Sequence, residues 1–399
     1  MERVMAVRYR PIPPLVPVVS EPPVLAAGFG SLALTRVQTV STSELAALEE
    51  EARTRLDRAA YDYIAGAAEE EATMVANLAA WSALAIRPHV LRDVSTVDTS
   101  TRLLNTSVAA PIVVAPSAMH GLVCDDAEAA TARAAAGFGT IMTLSLAANL
   151  SLEEVSAVTP ASPRWFQTYL HRDRGFTREL VQRARDAGYG AIVLTVDSPV
   201  LSRRARDIHN AFAPPAHLRV PNMPTPPSGE TPDADLMALA AAFDPAVTFD
   251  DISLPTEWSG LPVVVKGVIR GDDAQRSIEH GAAGVIVSNH GGRQLDGTIA
   301  TARALPEVVD MVGGGAMVLV DGGIRSGTDV LRALALGADA VLVGRPILWG
   351  LATGGEQGAA SVLKMLGDEL SRTMAFCGAT CVSEIQRDLL DLHAGSRPA

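Results

Sequence analysis

A histidine and an arginine stand three residues apart in Ser288-Asn289-His290-Gly291-Gly292-Arg293-Gln294-Leu295-Asp296-Gly297. An imidazole beside a fixed cation suits proton removal from a substrate that carries a carboxylate. The two glycines between them allow a sharp turn and leave room for a ligand. The segment follows Gly284-Val285-Ile286-Val287, an apolar run that reads as a buried parallel strand. His290 and Arg293 therefore fall just past a strand's C-terminal end. Taken alone, such a pair is more often a solvated loop than a catalytic one, so the rest of the chain has to decide.

The same strand-then-polar pattern occurs eight times. Pro111 to Ala115 runs into Pro116-Ser117-Ala118, and Thr140 to Leu144 runs into Ser145. Arg164-Trp165-Phe166 leads to Gln167-Thr168-Tyr169, and Ala191 to Leu194 leads to Thr195-Val196-Asp197. Pro262 to Val265 leads to Lys266-Gly267, and the His290 segment comes sixth. Met317 to Val320 leads to Asp321-Gly322-Gly323, and Ala340 to Val343 leads to Gly344-Arg345-Pro346. Alanine-rich stretches of helical period separate most of them: Ala127 to Gly137, Phe176 to Gly188, Asp272 to Gly281 and Thr328 to Gly337. Eight β-α units in about 240 residues predict an α/β chain folded as one (β/α)8 TIM barrel, with active-site groups at the strands' C-terminal ends. An open doubly wound sheet is the alternative. The lack of a Gly-x-Gly-x-x-Gly after the first strand argues against it.

The 399 residues are 48% hydrophobic, enough for a barrel and flanking pieces. A net charge of −12 makes nucleic acid an improbable partner. Cys124, Cys377 and Cys381 form no disulfide framework and a poor zinc site, which points to reduced thiols in a cytoplasmic protein. Residues 1–40 carry Pro11, Pro13, Pro14, Pro17, Pro22 and Pro23, so the apolar runs there are too short for a signal or a membrane span. We expect a mobile extension over 1–40 and a single domain over 41–395. The domain should open with a capped helix over Glu44 to Ala59, and a helical segment over Tyr61 to Gly66 should follow. Proline-rich Ala211 to Pro232 reads as an extended loop after the fourth strand, over the barrel mouth, with a helix near Leu236 to Ala242 beyond it.

Two glycine turns with arginines, Asp321-Gly322-Gly323-Ile324-Arg325 and Gly344-Arg345, follow the seventh and eighth strands. In such barrels these loops often hold a phosphate, so a phosphorylated ligand or cofactor is expected. Lys266 at the fifth strand end needs an anionic partner if it is buried.

With these motifs assembled, the chain resembles the FMN-dependent (S)-2-hydroxy-acid oxidases and dehydrogenases, the family of glycolate oxidase, lactate oxidase, mandelate dehydrogenase and hydroxymandelate oxidase. The resemblance runs from about Ser43 to about Ile385. It rests on Tyr61-Asp62-Tyr63-Ile64-Ala65-Gly66, Trp165 to Tyr169, Leu194-Thr195-Val196-Asp197-Ser198-Pro199, Val265-Lys266-Gly267, Ser288 to Gln294, and the two glycine-arginine turns. It implies His290 as active-site base, with Asp197 stabilising the imidazolium. It implies Arg204 and Arg293 as a clamp on the substrate carboxylate, Tyr63 as a hydrogen-bond donor to that carboxylate, and Tyr169 near the substrate hydroxyl. FMN would lie against Pro116, Ser117, Ala118 and Ser145, its ring edge bonded by Gln167, Thr195 and Lys266. Ser288 would lie near the cofactor chain, Asp321 would take ribityl hydroxyls, and Gly322, Gly323, Arg325, Gly344 and Arg345 would hold the phosphate. The reaction implied is oxidation of an (S)-2-hydroxy acid to the 2-oxo acid, with O2 as acceptor and H2O2 as product, in a homotetramer.

Relatives often carry an aromatic residue two positions after the serine of the second strand end. Here Ala147 takes that place, and Ala211 to Pro232 holds one aromatic, Phe212. A wider pocket and a larger, mandelate-like substrate follow. His120-Gly121 and Pro163 to Phe166 pull toward lactate-oxidase-type relatives, oxidase or monooxygenase. A dehydrogenase passing electrons to a quinone, a non-enzymatic flavin binder and a nucleotide dehydrogenase are the other classes. The first would favour an apolar lid insertion, the second would tend to lose His290, Arg293, Arg204 and Tyr169, and the third would want a cysteine in a strand-end loop.

Overall fold

The computed structural model describes residues 42–223 and 241–392. The extension over 1–40, the second part of the loop over 211–232 and nearly all of the helix expected near Leu236 to Ala242 lie outside the described residues.

Eight parallel strands close into a barrel. They are β1 (Ile112–Val114), β2 (Met142–Ser145), β3 (Arg164–Thr168), β4 (Ile192–Thr195), β5 (Val263–Val268), β6 (Gly284–Val287), β7 (Met317–Val320) and β8 (Ala340–Val343). Each pairs with its sequence neighbour, and β8 closes on β1 through Val341↔Ile112, Leu342↔Val113 and Val343↔Val114. The strands lack polar alternation because both of their faces are buried. Val113, Trp165, Val193, Val264, Ile286, Leu319 and Leu342 fill the barrel interior. Ile112, Phe166, Ile192, Val263, Val285, Val318 and Val341 face the surrounding helices. Each such side chain contributes about 1.5–3 kcal/mol on burial. A short hairpin pairing Thr101–Leu103 with Thr106–Val108 adds Leu103 and Val108 to the interior cluster.

The N-terminal part forms α1 (Thr42–Arg55), α2 (Arg58–Ala65) and α3 (Ala72–Ser82). The helix expected over Glu44 to Ala59 is two helices. The Asp57 carboxylate accepts from the amides of Ala59 and Ala60, both at 3.0 Å, and so starts a new helix where continuation was expected. The helices after the strands are α4 (Ala127–Phe138), α5 (Leu152–Val158), α6 (Arg174–Asp186), α7 (Ala205–His209), α8 (Leu254–Ser259), α9 (Gly271–Glu279), α10 (Thr301–Val312), α11 (Gly327–Ala335) and α12 (Arg345–Cys377). Four of them, α4, α6, α9 and α11, match their expected places within a few residues, and the others were not marked in the sequence. α12 breaks at Gly354 and Gly355. Among the described residues no helix is long and apolar enough to cross a membrane.

Strand register sets the floor of the site. Ser145 lies beside Gln167, and Thr195 lies beside Lys266. These four buried polar residues run around half of the C-terminal rim. Between Lys266 and Val268 the β5–β6 register slips at a bulge. Gly267 sits there with φ +111, and a Cβ on it would stand 2.6 Å from Asp197 Cβ. Only glycine leaves room for Asp197 at this point.

Candidate active site

One cleft opens at the strands' C-terminal ends. The residues expected to bind cofactor and substrate line it, except Asp197 and Ser288, which sit behind His290 and Lys266.

His290 has φ +58, a left-handed conformation rare outside glycine. It is held by its own loop: its backbone amide donates to Ser288 Oγ at 3.0 Å. Its Nδ1 stands 2.9 and 3.2 Å from the two oxygens of Asp197. Burial of the Asp197 carboxylate opposes ionisation, but His290, Lys266 and Ser198 outweigh it and hold its pKa below the usual range. An ionised Asp197 bonded to Nδ1 leaves Nε2 as the ring's acceptor, the state a base requires.

Arg204 and Arg293 bracket Tyr63, their guanidinium carbons 5.7 and 5.1 Å from its ring centre. Arg293 Nη1 donates to the carbonyls of Tyr63 at 2.7 Å and Gly66 at 2.8 Å. Burial and the adjacent Arg204 push the Arg293 guanidinium down to about 10. Phe212, the lone aromatic of the loop over 211–232, stacks on Tyr63 at 4.6 Å. Tyr169 stacks on Phe243 at 4.0 Å, and burial pushes its phenol well up, so it stays protonated. Leu146, Ala147, Val200, Leu201 and Phe243 make an apolar wall beside these groups.

Arg325, Arg345 and the first turn of α12 also line the cleft. Burial lowers the pKa of Arg325, and burial with Arg293 and Arg325 nearby lowers that of Arg345 further. No carboxylate lies within ion-pair distance of Arg293, Arg325 or Arg345 among the described residues. Buried cations without an anion are costly, so this part of the cleft is built for an anionic ligand, and a helix N-terminus adds to the attraction. The sequence reading put both arginine side chains on that ligand. The Arg345 fork also has protein partners: Nε donates to the Ile64 carbonyl at 3.0 Å, Nη1 to Gly291 at 3.0 Å and Nη2 to Gly66 at 2.8 Å, which leaves two of its five N–H groups for a ligand. For Arg325 one donor goes to the Ile324 carbonyl at 2.9 Å.

Lys266 Nζ donates to Ser288 Oγ at 2.9 Å and pairs with Asp321 Oδ2 at 3.1 Å. Asp321 Oδ1 is buried with no hydrogen-bond partner. An orphaned carboxylate oxygen facing a cleft asks for a hydroxyl donor. Gln167 Nε2 donates to Thr195 Oγ1 at 3.0 Å, and both line the same floor. Anion site, hydroxyl acceptor and polar rim answer to phosphate, polyol and ring, the parts of FMN.

The family described as FMN-dependent dehydrogenase matches residues 52–392. The chain belongs to that family. This FMN-dependent enzyme is 46% identical over 352 residues to an L-lactate oxidase of Nostoc sp., covering 86% of this chain and 96% of that one. It is 44% identical over 349 residues to 2-hydroxyacid oxidase 1 of Homo sapiens, covering 86% and 94%. A solved structure of mandelate oxidase with (S)-4-hydroxymandelic acid superposes with a TM-score of 0.81 at 40% identity, covering 87% of this chain and 98% of that one. The chain is accordingly an oxidoreductase with FMN as cofactor.

Sequence reasoning gave no role to α3, yet α3 fixes two of the loops. Asn77 and Asn289 exchange side-chain hydrogen bonds at 2.9 Å each. Trp81 Nε1 donates to the Gly322 carbonyl at 2.7 Å. Asp296, in the His290 loop, accepts from the amides of Ala72 and Thr73 at 3.2 and 2.7 Å and so caps α3 from 224 and 223 residues away.

Proposed function

We propose that this enzyme oxidises an (S)-2-hydroxy acid with a large apolar or aromatic side chain to the 2-oxo acid, with O2 as electron acceptor and H2O2 as product. The observation that carries this reading is the His290–Asp197 pair at 2.9 Å beside two half-buried arginines, Arg204 and Arg293, in one cleft. FMN, when bound, supplies the acceptor for the substrate's two electrons. The remaining work belongs to the chain. Arg204 and Arg293 seat the carboxylate, so that the α-carbon is oriented before reaction. Tyr63 lies between them and donates to the same carboxylate. His290 Nε2 takes the hydroxyl proton, and the ionised Asp197 stabilises the imidazolium through Nδ1. The Tyr169 phenol, kept protonated by burial, donates toward the substrate oxygen. Gln167, Thr195 and Lys266 bond the polar edge of the cofactor ring, Ser145 and the Pro116-Ser117-Ala118 turn pack on it, and Asp321 takes the polyol. Gly322 and Gly323 with Arg325, and Gly344 with Arg345 at the start of α12, hold the phosphate.

Substrate size rests on Ala147 and the apolar wall of Leu146, Val200, Leu201 and Phe243. An apolar side chain gains about 25 cal/mol per Å² buried there. We read the enzyme as a cytoplasmic homotetramer. Val90, Leu91 and Phe376, at 76, 102 and 75% exposed, offer apolar surface for such assembly. Light scattering on the purified protein tests it, and a monomer ends it.

The deciding experiment is an anaerobic titration of the FMN-loaded enzyme with a panel of (S)- and (R)-2-hydroxy acids, followed by air. Bleaching by the (S)-acids, return of colour and peroxide formation are expected. No bleaching by any acid refutes the reaction. Bleaching without recovery in air refutes O2 as acceptor.

A further inference from the structure

The base pair does not stand alone. Ser198 Oγ donates to Asp197 Oδ1 at 3.0 Å. Gln294 Nε2 donates in turn to Ser198 Oγ across 96 residues of chain. Gln294 follows Arg293, whose guanidinium is fastened to the carbonyls at the end of α2. None of these contacts belongs to the reacting atoms, and they join the substrate-arginine loop to the carboxylate that orients the base.

We infer that Gln294 and Ser198 form a positioning relay for the Asp197–His290 pair. The inference rests on His290 being the base. A serine hydroxyl has one proton and two lone pairs. With the Gln294 amide on its oxygen, the Ser198 proton is directed to Asp197 Oδ1. That bond fixes the carboxylate rotation in which both oxygens face Nδ1, and it draws negative charge away from the imidazole. Gly267, with no side chain at the bulge, leaves the room in which this carboxylate sits. The groups that face Asp197 are His290, Lys266, Ser198 and Tyr169. The relay therefore has a pH signature. Without the Ser198 proton, the Asp197 carboxylate loses one of the bonds that hold its pKa down, and the acid limb of the rate profile moves with it.

The test uses the FMN-loaded enzyme and five variants: Gln294→Leu, Ser198→Ala, the double variant, Ser198→Thr and His290→Ala. Rates of FMN bleaching, KM, the pH profile of kcat/KM and FMN content are measured for each. Gln294→Leu and Ser198→Ala should keep full FMN, hold KM within about twofold and slow bleaching about 10- to 100-fold, the size of one hydrogen bond to a charged group. Their acid limb should move to higher pH. The double variant should be no slower than the slower single one, because both break the same chain. Ser198→Thr keeps the hydroxyl and should restore rate and profile. A wild-type rate and profile in Gln294→Leu, or a double variant slowed by the product of the single effects, overturns the relay. If His290→Ala is slowed while Gln294→Leu is not, only the relay falls. If His290→Ala bleaches at the normal rate, the base assignment falls, and the relay with it.

Discussion

Replacing Asp197 by Asn keeps the shape of the side chain and removes its charge. In the wild type, Nδ1 of His290 lies 2.9 and 3.2 Å from the two carboxylate oxygens. When the ring takes a proton, two opposite charges stand about 4 Å apart in a half-buried site. At an effective dielectric of about 20 their attraction is about 4 kcal/mol. The Asn amide oxygen still accepts from Nδ1 and recovers part of this. A loss of about 2–4 kcal/mol, or roughly 30- to 1000-fold in rate, remains. The assay is anaerobic rapid mixing with saturating substrate, following bleaching of bound FMN near neutral pH. KM should hold, because the carboxylate seat on Arg204 and Arg293 is untouched. A bleaching rate within threefold of wild type would show that Asp197 does not stabilise the imidazolium. The same variant has a stability signature. Burial raises the Asp197 pKa, but His290 and the other neighbours lower it on balance. A lowered carboxylate contributes stability above its unfolded value of about 3.9 and loses it as pH falls through the folded value. The unfolding free energy of wild type minus variant should therefore be positive at neutral pH and shrink under acid. A difference that does not change with pH contradicts the assignment.

Arg325→Met should weaken FMN binding by about 10- to 100-fold, the loss of a charged hydrogen bond. The melting temperature of the FMN-free protein should rise or hold, since a buried unpaired cation has gone; titration calorimetry and thermal melts read the two effects. Gly267→Ala should lower stability by about 1–3 kcal/mol through its φ of +111 and the contact with Asp197, seen in urea unfolding, and should slow bleaching. Ala147→Trp should shift kcat/KM from aromatic toward small 2-hydroxy acids; no change in the ratio would remove position 147 from the substrate pocket. His290→Ala should keep FMN and slow bleaching at least about 100-fold, in line with loss of a general base.

The barrel was legible because its strands are buried on both faces and end in polar residues. Val264 and Val265 face opposite layers, so their run carries no alternation. The polar residues just past the runs, from Ser145 to Arg345, then marked the rim, and all of them lie at the cleft or directly behind it. What stayed hidden depends on partners far away in sequence. Nothing around Asp57 distinguishes a helix start from a helix interior, because the surrounding residues keep helical character. Asp296 caps a helix more than 200 residues earlier, and no local pattern carries that contact. The Arg345 fork is the sharpest case. Its motif speaks for phosphate and says nothing of the bonds to the carbonyl end of α2, which only the closed fold brings near. Gln294 and Ser198 sat inside quoted motifs without a role, since a relay becomes visible only when two loops meet.

The carbonyl end of α2 has one more implication, for how a chain comes off the ribosome. α2 and α3 are made early, yet their polar ends are satisfied by Arg293, Asp296 and Arg345, which are made more than 200 residues later. Until the chain has passed β8, the loop of His290 lacks the Arg345 hand on Gly291. A chain that stops before Arg345 therefore lacks the donors that tie the Ile64 and Gly66 carbonyls to that loop. Contacts of such long sequence separation form late and slowly. In this FMN-dependent oxidoreductase the joining of the α2 end to the His290 loop thus waits on residues near the last barrel strand.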